Sequence, residues 1–350
     1  MSAIMQGAAD RSAMPRHASA PMLGLVAAVL LAAMLAGLSM GSSPMPLERL
    51  LPALIGQGSA TDMLILWTLR APRVLLAGVA GASLGLAGLV LQRATRNALA
   101  APSVLGVTDG AALGAVAFLF LFTDPANMLT VSIYWQPVAT ALGAAFFAML
   151  VALLAGRGNV GPVSLILYGF ALGALARAGV TLFIVAGPVY RASQAAIWLA
   201  GSVHEARWSD VAATGLVLSI CLPAVVLMAR RMDQLLLDDN SAMATGVAVR
   251  RSQFMLMGLS VVLTAGAVSF VGAIGFVGLV APHAARLLLG LRALPLIAGS
   301  AMLGALAVIA ADIVVRYGFA PLEVPTGAAT ALLGAPYFLF ILFRARQNHA

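Results

Sequence analysis

The sequence contains no lysine, and this absence limits its chemistry. All 20 residues of the Lys and Arg class are arginines. A Walker A nucleotide-binding loop ends in Gly-Lys-Ser or Gly-Lys-Thr, and a Schiff base needs a lysine amine, so the chain contains neither. Cysteine is almost absent as well, since Cys221 is the only one. A single cysteine excludes an internal disulfide, a thiolate metal cluster and a Cys-x-x-Cys redox motif.

Charged residues are scarce too. They make up 9% of the chain, whereas 62% of the residues are hydrophobic and the mean hydropathy is +1.01. Soluble domains have about 25% charged and about 45 to 50% apolar residues. The composition therefore predicts an all-α, polytopic membrane protein. The net charge of +8 needs no nucleic acid to explain it, because arginines at membrane edges orient the helices.

Apolar windows of about 17 to 25 residues predict ten membrane spans. They lie at 22–41, 74–92, 103–122, 136–156, 163–186, 210–229, 253–271, 274–290, 294–315 and 324–343, and the second has an alternative start near Met63. The segment Ala192–Gly201 is too short to cross, and we expect a half-buried surface helix there. Residues 1–21 are then a cytoplasmic leader, 22–343 a single membrane domain and 344–350 a cytoplasmic tail.

The distribution of arginines predicts the orientation of the chain. With the N-terminus inside and ten crossings, thirteen of the 20 arginines fall on the cytoplasmic side, as the positive-inside rule requires. Both termini are then cytoplasmic. The leader and the first apolar run also fit a cleaved signal peptide. We favour retention, because removal of the first span would leave nine crossings and gain nothing.

The stretch from Gly272 to Arg286 is the most informative segment, because a glycine-rich apolar run ends there in a proline and a cation. Gly272, Gly275 and Gly278 are spaced three apart, so we expect them on one helix face that another backbone approaches closely. The run 253–290 is too long for one span, and we expect it to break between Gly272 and Gly275. The orientation places the polar end of this stretch at the cytoplasmic surface: Pro282, His283 and Arg286.

Four separated motifs occur in the order and spacing of one known family. They are Arg70-Ala-Pro-Arg73 continuing to Arg96-Asn97-Ala98-Leu99-Ala100-Ala101-Pro102, then Gly275–Arg286, then Asp312–Arg316, and finally Pro325-Thr326-Gly327 with Leu333-Gly334-Ala335-Pro336. Over about residues 60–343 the chain resembles the FecCD-type permeases, the membrane subunits of ABC importers for iron-siderophores, haem and vitamin B12. It departs from the family at Ala98, where proline is common, and after the eighth span, where Gly290–Ala293 is shorter.

The resemblance implies a fold and a set of partners. The fold is that of the vitamin B12 importer permease, with about ten membrane helices per subunit and two copies that form a homodimer around the transport path. Two cytoplasmic ATPase subunits would bind ATP and Mg, while this chain would hold no cofactor and catalyse no reaction. A periplasmic or lipid-anchored binding protein would deliver the substrate at the bacterial inner membrane. Iron-siderophore complexes rank first as the substrate on family frequency, followed by haem and cobalamin.

Arginines on the outer surface receive acidic residues of the binding protein in this family. The matching positions are Arg70, Arg73 and Arg316, and the orientation derived from the arginines also places all three outside. A guanidinium presents a fixed fork to a carboxylate, so a few such pairs orient a docking protein. The alternative is that they anchor the membrane interface, or that Arg316 pairs with Asp312 one helical turn away.

The inner loop at about 230–252 resembles the segment that couples the family's permeases to their ATPases. Asp239, Ala242 and Gly246 match the usual pattern, whereas Asp238 and Thr245 replace the usual glycine and leucine. The alternative is a polar loop with no partner.

Three further polar positions remain open. His283 has no second His, Cys or clustered carboxylate at a ligand spacing, so we expect a structural or coupling role and no metal site. Arg177 lies within the fifth span and must face a cavity or a partner, because hydrocarbon is costly for an arginine. Asp109 starts the third span. A proton- or sodium-coupled secondary transporter is the alternative function, with Asp109 or Asp312 as its coupling carboxylate.

Overall fold

The computed structural model describes residues 19–41, 43–124, 128–156, 162–319, 322 and 324–347. These segments are mainly helical, and their only β-type pairing is an isolated bridge between Thr123 and Leu129. Numbered in chain order, the helices are α1 (Ser19–Ser39), α2 (Leu47–Leu54), α3 (Ala60–Thr95), α4 (Val107–Leu121), α5 (Gln136–Gly156), α6 (Pro162–Ala186), α7 (Val189–Ala200), α8 (Trp208–Leu227), α9 (Ala229–Gln234), α10 (Asp239–Ala244), α11 (Val249–Val271), α12 (Val277–Leu289), α13 (Ala293–Gly318) and α14 (Thr326–Gln347).

The prediction of an all-α protein with about ten membrane helices is confirmed. In the described segments, seven helices are long and apolar enough to cross a membrane, namely α1, α3, α5, α6, α8, α11 and α13. Two more apolar helices are shorter, α4 with 15 residues and α12 with 13. Together with α14, these helices lie at the predicted spans, because a backbone in hydrocarbon must satisfy its hydrogen bonds within the helix.

Helix α3 forms the centre of the bundle. In its most apolar window 83% of the residues are buried, compared with 11% for α1. Glycines allow its neighbours to approach: a Cβ on Gly81 would lie 2.3 Å from the carbonyl oxygen of Gly304 in α13, and one on Gly88 would lie 1.7 Å from that of Gly278 in α12. These distances leave no room for a side chain, so the helix backbones pack in direct contact.

The stretch from Gly272 to Arg286 differs from the expectation. The chain does break after Val271, but α12 begins only at Val277, so Gly272 and Gly275 lie in the connection. Gly272 has φ of +69° and ends α11, in a conformation that favours glycine. The prediction that Gly272, Gly275 and Gly278 share one helix face is therefore wrong. Gly278 packs against Gly88 of α3 and Gly272 packs against the backbone of Trp198 in α7, whereas nothing lies within 4 Å of a Cβ on Gly275.

Hydrogen bonds between distant loops show which helix ends share a surface. At one end, Ser202 donates from its backbone to Val271 at 2.9 Å, and Gly327 donates to Gly201 at 2.9 Å. We call this end the outer surface, after the orientation expected from the arginines. The surface helix expected at Ala192–Gly201 lies here as α7. At the opposite end, the inner surface, the Ala293 amide donates to Asp233 Oδ1 at 2.9 Å.

The expected chain divisions meet the structure at two places. Most of the leader 1–21 lies outside the described residues, and α1 begins at Ser19. Helix α14 continues to Gln347, past the expected boundary at 343, and 348–350 lie outside the described residues. The division into leader, membrane domain and tail stays a prediction.

Candidate functional site

The outer end of α3 joins α1 through Arg70. This residue closes a π-helical turn, Ile65–Arg70, within α3. Its Nη1 donates to the carbonyl oxygens of Leu38 at 2.8 Å and Ser39 at 2.9 Å, and its Nη2 donates to that of Ser43. The carbonyls at the C-terminal end of a helix have no partners within that helix, so a guanidinium stabilises them. Arg70 is 5% exposed and therefore caps the C-terminal end of α1.

One helical turn further along α3, Arg73 pairs with Asp312. Together with Arg70 and Arg316 these two residues form what we call the outer cluster. Its Nη2 and Nε donate to Asp312 Oδ1 at 2.7 and 2.9 Å, and its Nη1 lies 2.8 Å from His204 Nδ1. Asp312, in α13, is 1% exposed. A buried carboxylate without this forked partner would be costly. The pair therefore joins α3 to α13, and His204 adds the loop before α8.

Arg316 completes the outer cluster from α13. Its Nη2 donates to the carbonyl oxygen of Gly37, in α1, at 2.5 Å. In the described segments the ion-pair partner of Asp312 is Arg73 and not Arg316, although both arginines lie near that carboxylate. Three arginines and one aspartate leave this cluster with excess positive charge. The docking role of Arg70, Arg73 and Arg316 stays a prediction.

Two other cations on the outer surface are more exposed, and the motif comparison did not single them out. Arg49, in α2, pairs with Asp62 and has a side chain that is 54% exposed. Arg207 lies over the ring of Tyr134, with 5.0 Å from its Cζ to the ring centroid. Neither residue belongs to a family motif, so only their predicted outer location could have indicated them.

The inner end of α3 forms a second arginine cluster. Arg93 donates to the carbonyl oxygen of Leu291, and Arg286 of α12 donates to Gln92 Oε1. Among the described residues, Gln92 Nε2 and Arg93 Nη1 are buried polar atoms without a hydrogen-bond partner. Burial also raises the pKa of nearby Asp233, in α9. The hydrogen bonds of this cluster are thus less complete than those of the outer cluster.

The predicted coupling segment contacts the last residue of this cluster. Arg96 ends α3 in a left-handed conformation, φ +50°. Its Nε donates to the carbonyl oxygen of Leu235 at 2.6 Å, and its Nη1 donates to Asp239 Oδ1 at 2.6 Å. Arg96 therefore connects the central helix to the start of α10, and Asp239 is the one predicted coupling residue that takes part in the contact.

Helix α10 is a single short turn with a defined start. The Asp238 carboxylate accepts a hydrogen bond from the Ser241 amide at 3.1 Å, which is N-terminal capping. Hydrogen bonds from the Ser241 side chain and from its amide lower the pKa of Asp238. Ala242 is fully buried against the core, whereas Gly246 ends the turn with φ of +85° and open space around it. The segment is thus anchored at Ala242 and exposed around Gly246, and its ATPase contact stays a prediction.

His283 and Pro282 lie in α12 near the inner surface. The His283 ring meets the ring of Tyr337 edge to face, with 6.1 Å between centroids. The residues that the structure describes contain no group of three or more His, Cys, Asp or Glu side chains that could hold a metal ion. The structure thus brings His283 together with Tyr337 of α14.

Another interhelical ion pair lies between α4 and α6. Arg177 Nη1 donates to Asp109 Oδ2 at 2.7 Å, and the two side chains are 53% and 21% exposed. Sequence reasoning named both residues but did not pair them, because 68 residues separate them in the chain.

Comparison with known proteins adds an independent finding. Residues 29–344 match the model of the FecCD transport family. YfhA of Bacillus subtilis, an inferred siderophore transport system permease protein, is 42% identical over 93% of this chain and 94% of its own. The Fe(3+)-citrate import system permease protein YfmE of the same organism is 39% identical over 80% and 82%. An inward-facing ABC transporter of inferred metal-chelate type has a similar structure, with a TM-score of 0.83, 27% identity and coverage of 93% and 99%.

Proposed function

Because the chain belongs to the FecCD transport family, we propose that it is the membrane permease of an ATP-driven, binding-protein-dependent importer that carries iron-siderophore complexes. Haem and cobalamin rank next as substrates. One relative is a permease of a siderophore transport system and another a permease of an Fe(3+)-citrate import system, and the similar solved structure is that of an ABC transporter. Alternating access in this permease moves the substrate from the outer to the inner surface, and the chain itself carries out no covalent chemistry.

One observation carries this proposal: α3 connects an arginine cluster on the outer surface with the coupling segment on the inner surface. Arg73 fixes its outer end to Asp312 and Arg96 its inner end to Asp239. A permease that is driven by cytoplasmic ATPase subunits needs such a connection between the surface that contacts them and the surface that receives the binding protein. The absence of lysine supports ATP hydrolysis on another chain, because a Walker A loop for binding ATP contains a lysine.

Docking of the binding protein is proposed for the outer cluster. Arg70, Arg73 and Arg316 carry three positive charges against the one negative charge of Asp312, so excess positive charge attracts acidic side chains of a partner. The arginines have different freedom to do so. Arg70 would have to leave three carbonyl oxygens, whereas Arg316 has one hydrogen bond, to Gly37. We therefore give Arg316 the direct contact, with Arg73 as its neighbour and Arg70 as the residue that positions the α1 end.

The ATPase contact is proposed for the loop around α10. Asp239, Ala242 and Gly246 occupy the charged start, the buried side and the exposed end of this turn. Movement of an ATPase subunit at Gly246 would reach α3 through Arg96. Two copies of this chain, two ATPase subunits with ATP and Mg, and one binding protein complete the proposed assembly. It lies in the bacterial inner membrane with both termini of this chain cytoplasmic.

Transport by the reconstituted complex tests the proposal. Proteoliposomes would contain this chain with its ATPase, and the loaded binding protein would be added outside. We expect uptake of a radiolabelled ferric chelate that needs ATP, the ATPase chain and the binding protein together. Uptake driven by a pH gradient alone, with no ATPase chain, would contradict the proposal and favour a secondary transporter.

Docking has its own test. The Arg316→Gln variant should weaken binding of the loaded binding protein at physiological salt. The matched control is the double variant Arg49→Gln with Asp62→Asn, which removes an exposed outer arginine without leaving its buried partner unpaired. Equal binding by the wild type and Arg316→Gln would refute the docking assignment.

A further inference from the structure

An arginine lies in the middle of a membrane helix with most of its charge exposed. Arg177 is 15 residues from the start of α6 and nine from its end, which corresponds to about 22 and 13 Å along the helix axis. The hydrocarbon layer is about 30 Å thick, so this guanidinium lies well inside it. An exposed arginine at that depth is costly unless it faces water or a partner group. The α6 face that carries Arg177 is therefore unsuited to contact with lipid alone.

The start of α4 confirms the depth of this site. A Cβ on Gly106, just before α4, would lie 3.0 Å from the carbonyl oxygen of Gly169 in α6. Asp109 Oδ2 lies beside Gly173, where a Cβ would be 2.5 Å away. Helix α4 thus begins level with Gly169, about 10 Å along α6 from its start, and its N-terminal turn carries Asp109. Helices that start within the membrane are typical of substrate sites in transporters, because their N-terminal dipole attracts anions.

The pair is unequal in a way that favours an anionic ligand. Arg177 is 53% exposed, whereas Asp109 is 21% exposed, so the open side of the pair is positive. A guanidinium has five N–H donors. In the described segments Arg177 uses one of them, Nη1, for its bond to Asp109. The rest of the fork can receive a carboxylate while Asp109 holds the side chain in place.

The surroundings of Arg177 also suit a ligand with apolar parts. Its Cζ lies 6.0 Å from the ring centroid of Phe170, which is two turns earlier on the same face of α6. Thr181, one turn further outward, uses its hydroxyl to bond the Arg177 carbonyl oxygen at 3.0 Å. The exposed side chains that precede Arg177 on the same helix face are hydrophobic: Phe170 and Ala174. A cation among apolar side chains binds an anion strongly because little water competes.

Resting on the proposed import function, we propose that Arg177, oriented by Asp109, is an anion-binding subsite of the transport path that receives a carboxylate of an anionic iron chelate. The α6 face then lines the path. Neutral iron chelates, such as ferric trihydroxamates, would pass without this contact. The subsite distinguishes substrates by charge within the membrane, after the binding protein has released them.

Uptake of three labelled chelates by the reconstituted complex tests the subsite: ferric citrate, an anionic ferric tricatecholate and a neutral ferric trihydroxamate. We expect the wild type to import an anionic chelate. Arg177→Gln should lower that uptake at least about tenfold, because one charge-assisted hydrogen bond is lost, and Arg177→Lys should retain part of it. The matched control, the double variant Arg49→Gln with Asp62→Asn, removes both charges of another ion pair and should leave uptake within about twofold.

A charge exchange separates the subsite from a purely structural pair. The double variant Asp109→Arg with Arg177→Asp keeps an ion pair between α4 and α6 but moves the cation to α4. A subsite predicts a folded complex that no longer imports the anionic chelate, whereas a structural pair predicts restored uptake. Restored uptake in the exchanged variant, or unchanged uptake by Arg177→Gln, would overturn the subsite alone. A wild type that imports only the neutral chelate would also overturn it. A wild type that imports no chelate with ATP would overturn the proposed function, and the subsite with it.

Discussion

The two ends of α3 both carry arginines, but they use them differently. At the outer end, Arg73 forks onto the buried carboxylate of Asp312, and Arg70 caps the carbonyls of α1. At the inner end, Arg93 and Arg96 donate to carbonyl oxygens of other segments, and the ion pair of Arg96 with Asp239 is exposed. The outer end is held by a buried ion pair, whereas at the inner end the ion pair is exposed and the buried Arg93 bonds a carbonyl oxygen and no carboxylate.

This difference suits a helix whose contacts rearrange at its inner end and persist at its outer end. Buried, forked ion pairs resist separation because each partner would be left uncompensated. Exposed pairs exchange with water at little cost. Two buried polar atoms without a partner, Gln92 Nε2 and Arg93 Nη1, lie in the inner cluster. We infer that rearrangement during transport is concentrated at the inner cluster, while α1, α3 and α13 stay joined at the outer one.

The largest effect is expected from breaking the outer ion pair. Asp312→Asn should destabilise the protein by about 3 to 5 kcal/mol, because it leaves the largely buried Arg73 without its counter-charge. Cys221 is the only cysteine and is buried, so its reaction with a fluorescent maleimide reports unfolding. Asp210→Asn, at the exposed start of α8, is the matched control. An Asp312→Asn variant as stable as this control would contradict the account of a rigid outer end.

The next largest effect should come from the middle of α3, where the backbone of this helix packs closely against that of α12. Gly88→Ala would place a Cβ 1.7 Å from the carbonyl oxygen of Gly278, and overpacking of this kind costs about 1 to 3 kcal/mol. Gly275→Ala is the matched control, because nothing lies within 4 Å of a Cβ there. The same maleimide assay should show a lower unfolding temperature for Gly88→Ala only. Equal stability of both variants would remove Gly88 as the contact between α3 and α12.

Breaking the inner connection should leave stability almost unchanged and reduce coupling. Arg96→Ala removes an ion pair whose members are 30% and 63% exposed, so we expect a loss of less than about 1 kcal/mol. Transport per ATP hydrolysed should fall, since α10 would lose its bond to α3. Asp239→Asn breaks the same pair from the other side and should show the same phenotype. If neither variant changed the ratio of transport to hydrolysis, the inner connection would be unnecessary for coupling.

The smallest effect is expected at the cap of α10. Asp238→Ala should increase hydrogen exchange of the α10 amides without a change in overall stability, because the carboxylate accepts the Ser241 amide. The cap lowers the pKa of Asp238, so its stabilisation is complete above the carboxyl's unfolded pKa and is lost as pH falls through the lower folded value. Exchange in α10 should rise over that acidic range in the wild type only. Identical profiles for wild type and variant would exclude the cap.

Most of the fold was predictable because the thickness and the apolar interior of the lipid bilayer set the length and the hydropathy of each span. The breaks at Val271 and Ala200 also had local signals, in glycines and in a short apolar run. The face of Gly272 and Gly275 was not predictable, because spacing alone does not show whether three glycines belong to one helix. Gly278 packs directly against Gly88, which is distant in the sequence, so local spacing could not reveal this contact.

The site was predictable by residue but not by pairing. The motifs indicated Arg73, Arg316 and Asp312, and local spacing allowed a pair between the last two as the alternative to docking. The structure pairs Asp312 with Arg73 instead, across 239 residues. The same holds for Arg177 and Asp109. Sequence patterns identify the charged groups that a membrane protein retains, but the packing of distant helices decides which group neutralises which.

Stimulation of ATP hydrolysis by the loaded binding protein tests both ends of α3 in one measurement. The wild-type complex in proteoliposomes should hydrolyse ATP faster when the binding protein is added. Arg316→Gln should lose this stimulation together with binding, whereas Arg96→Ala should lose it although binding is retained. Full stimulation in both variants would contradict the claim that α3 connects a docking surface with the ATPase contact.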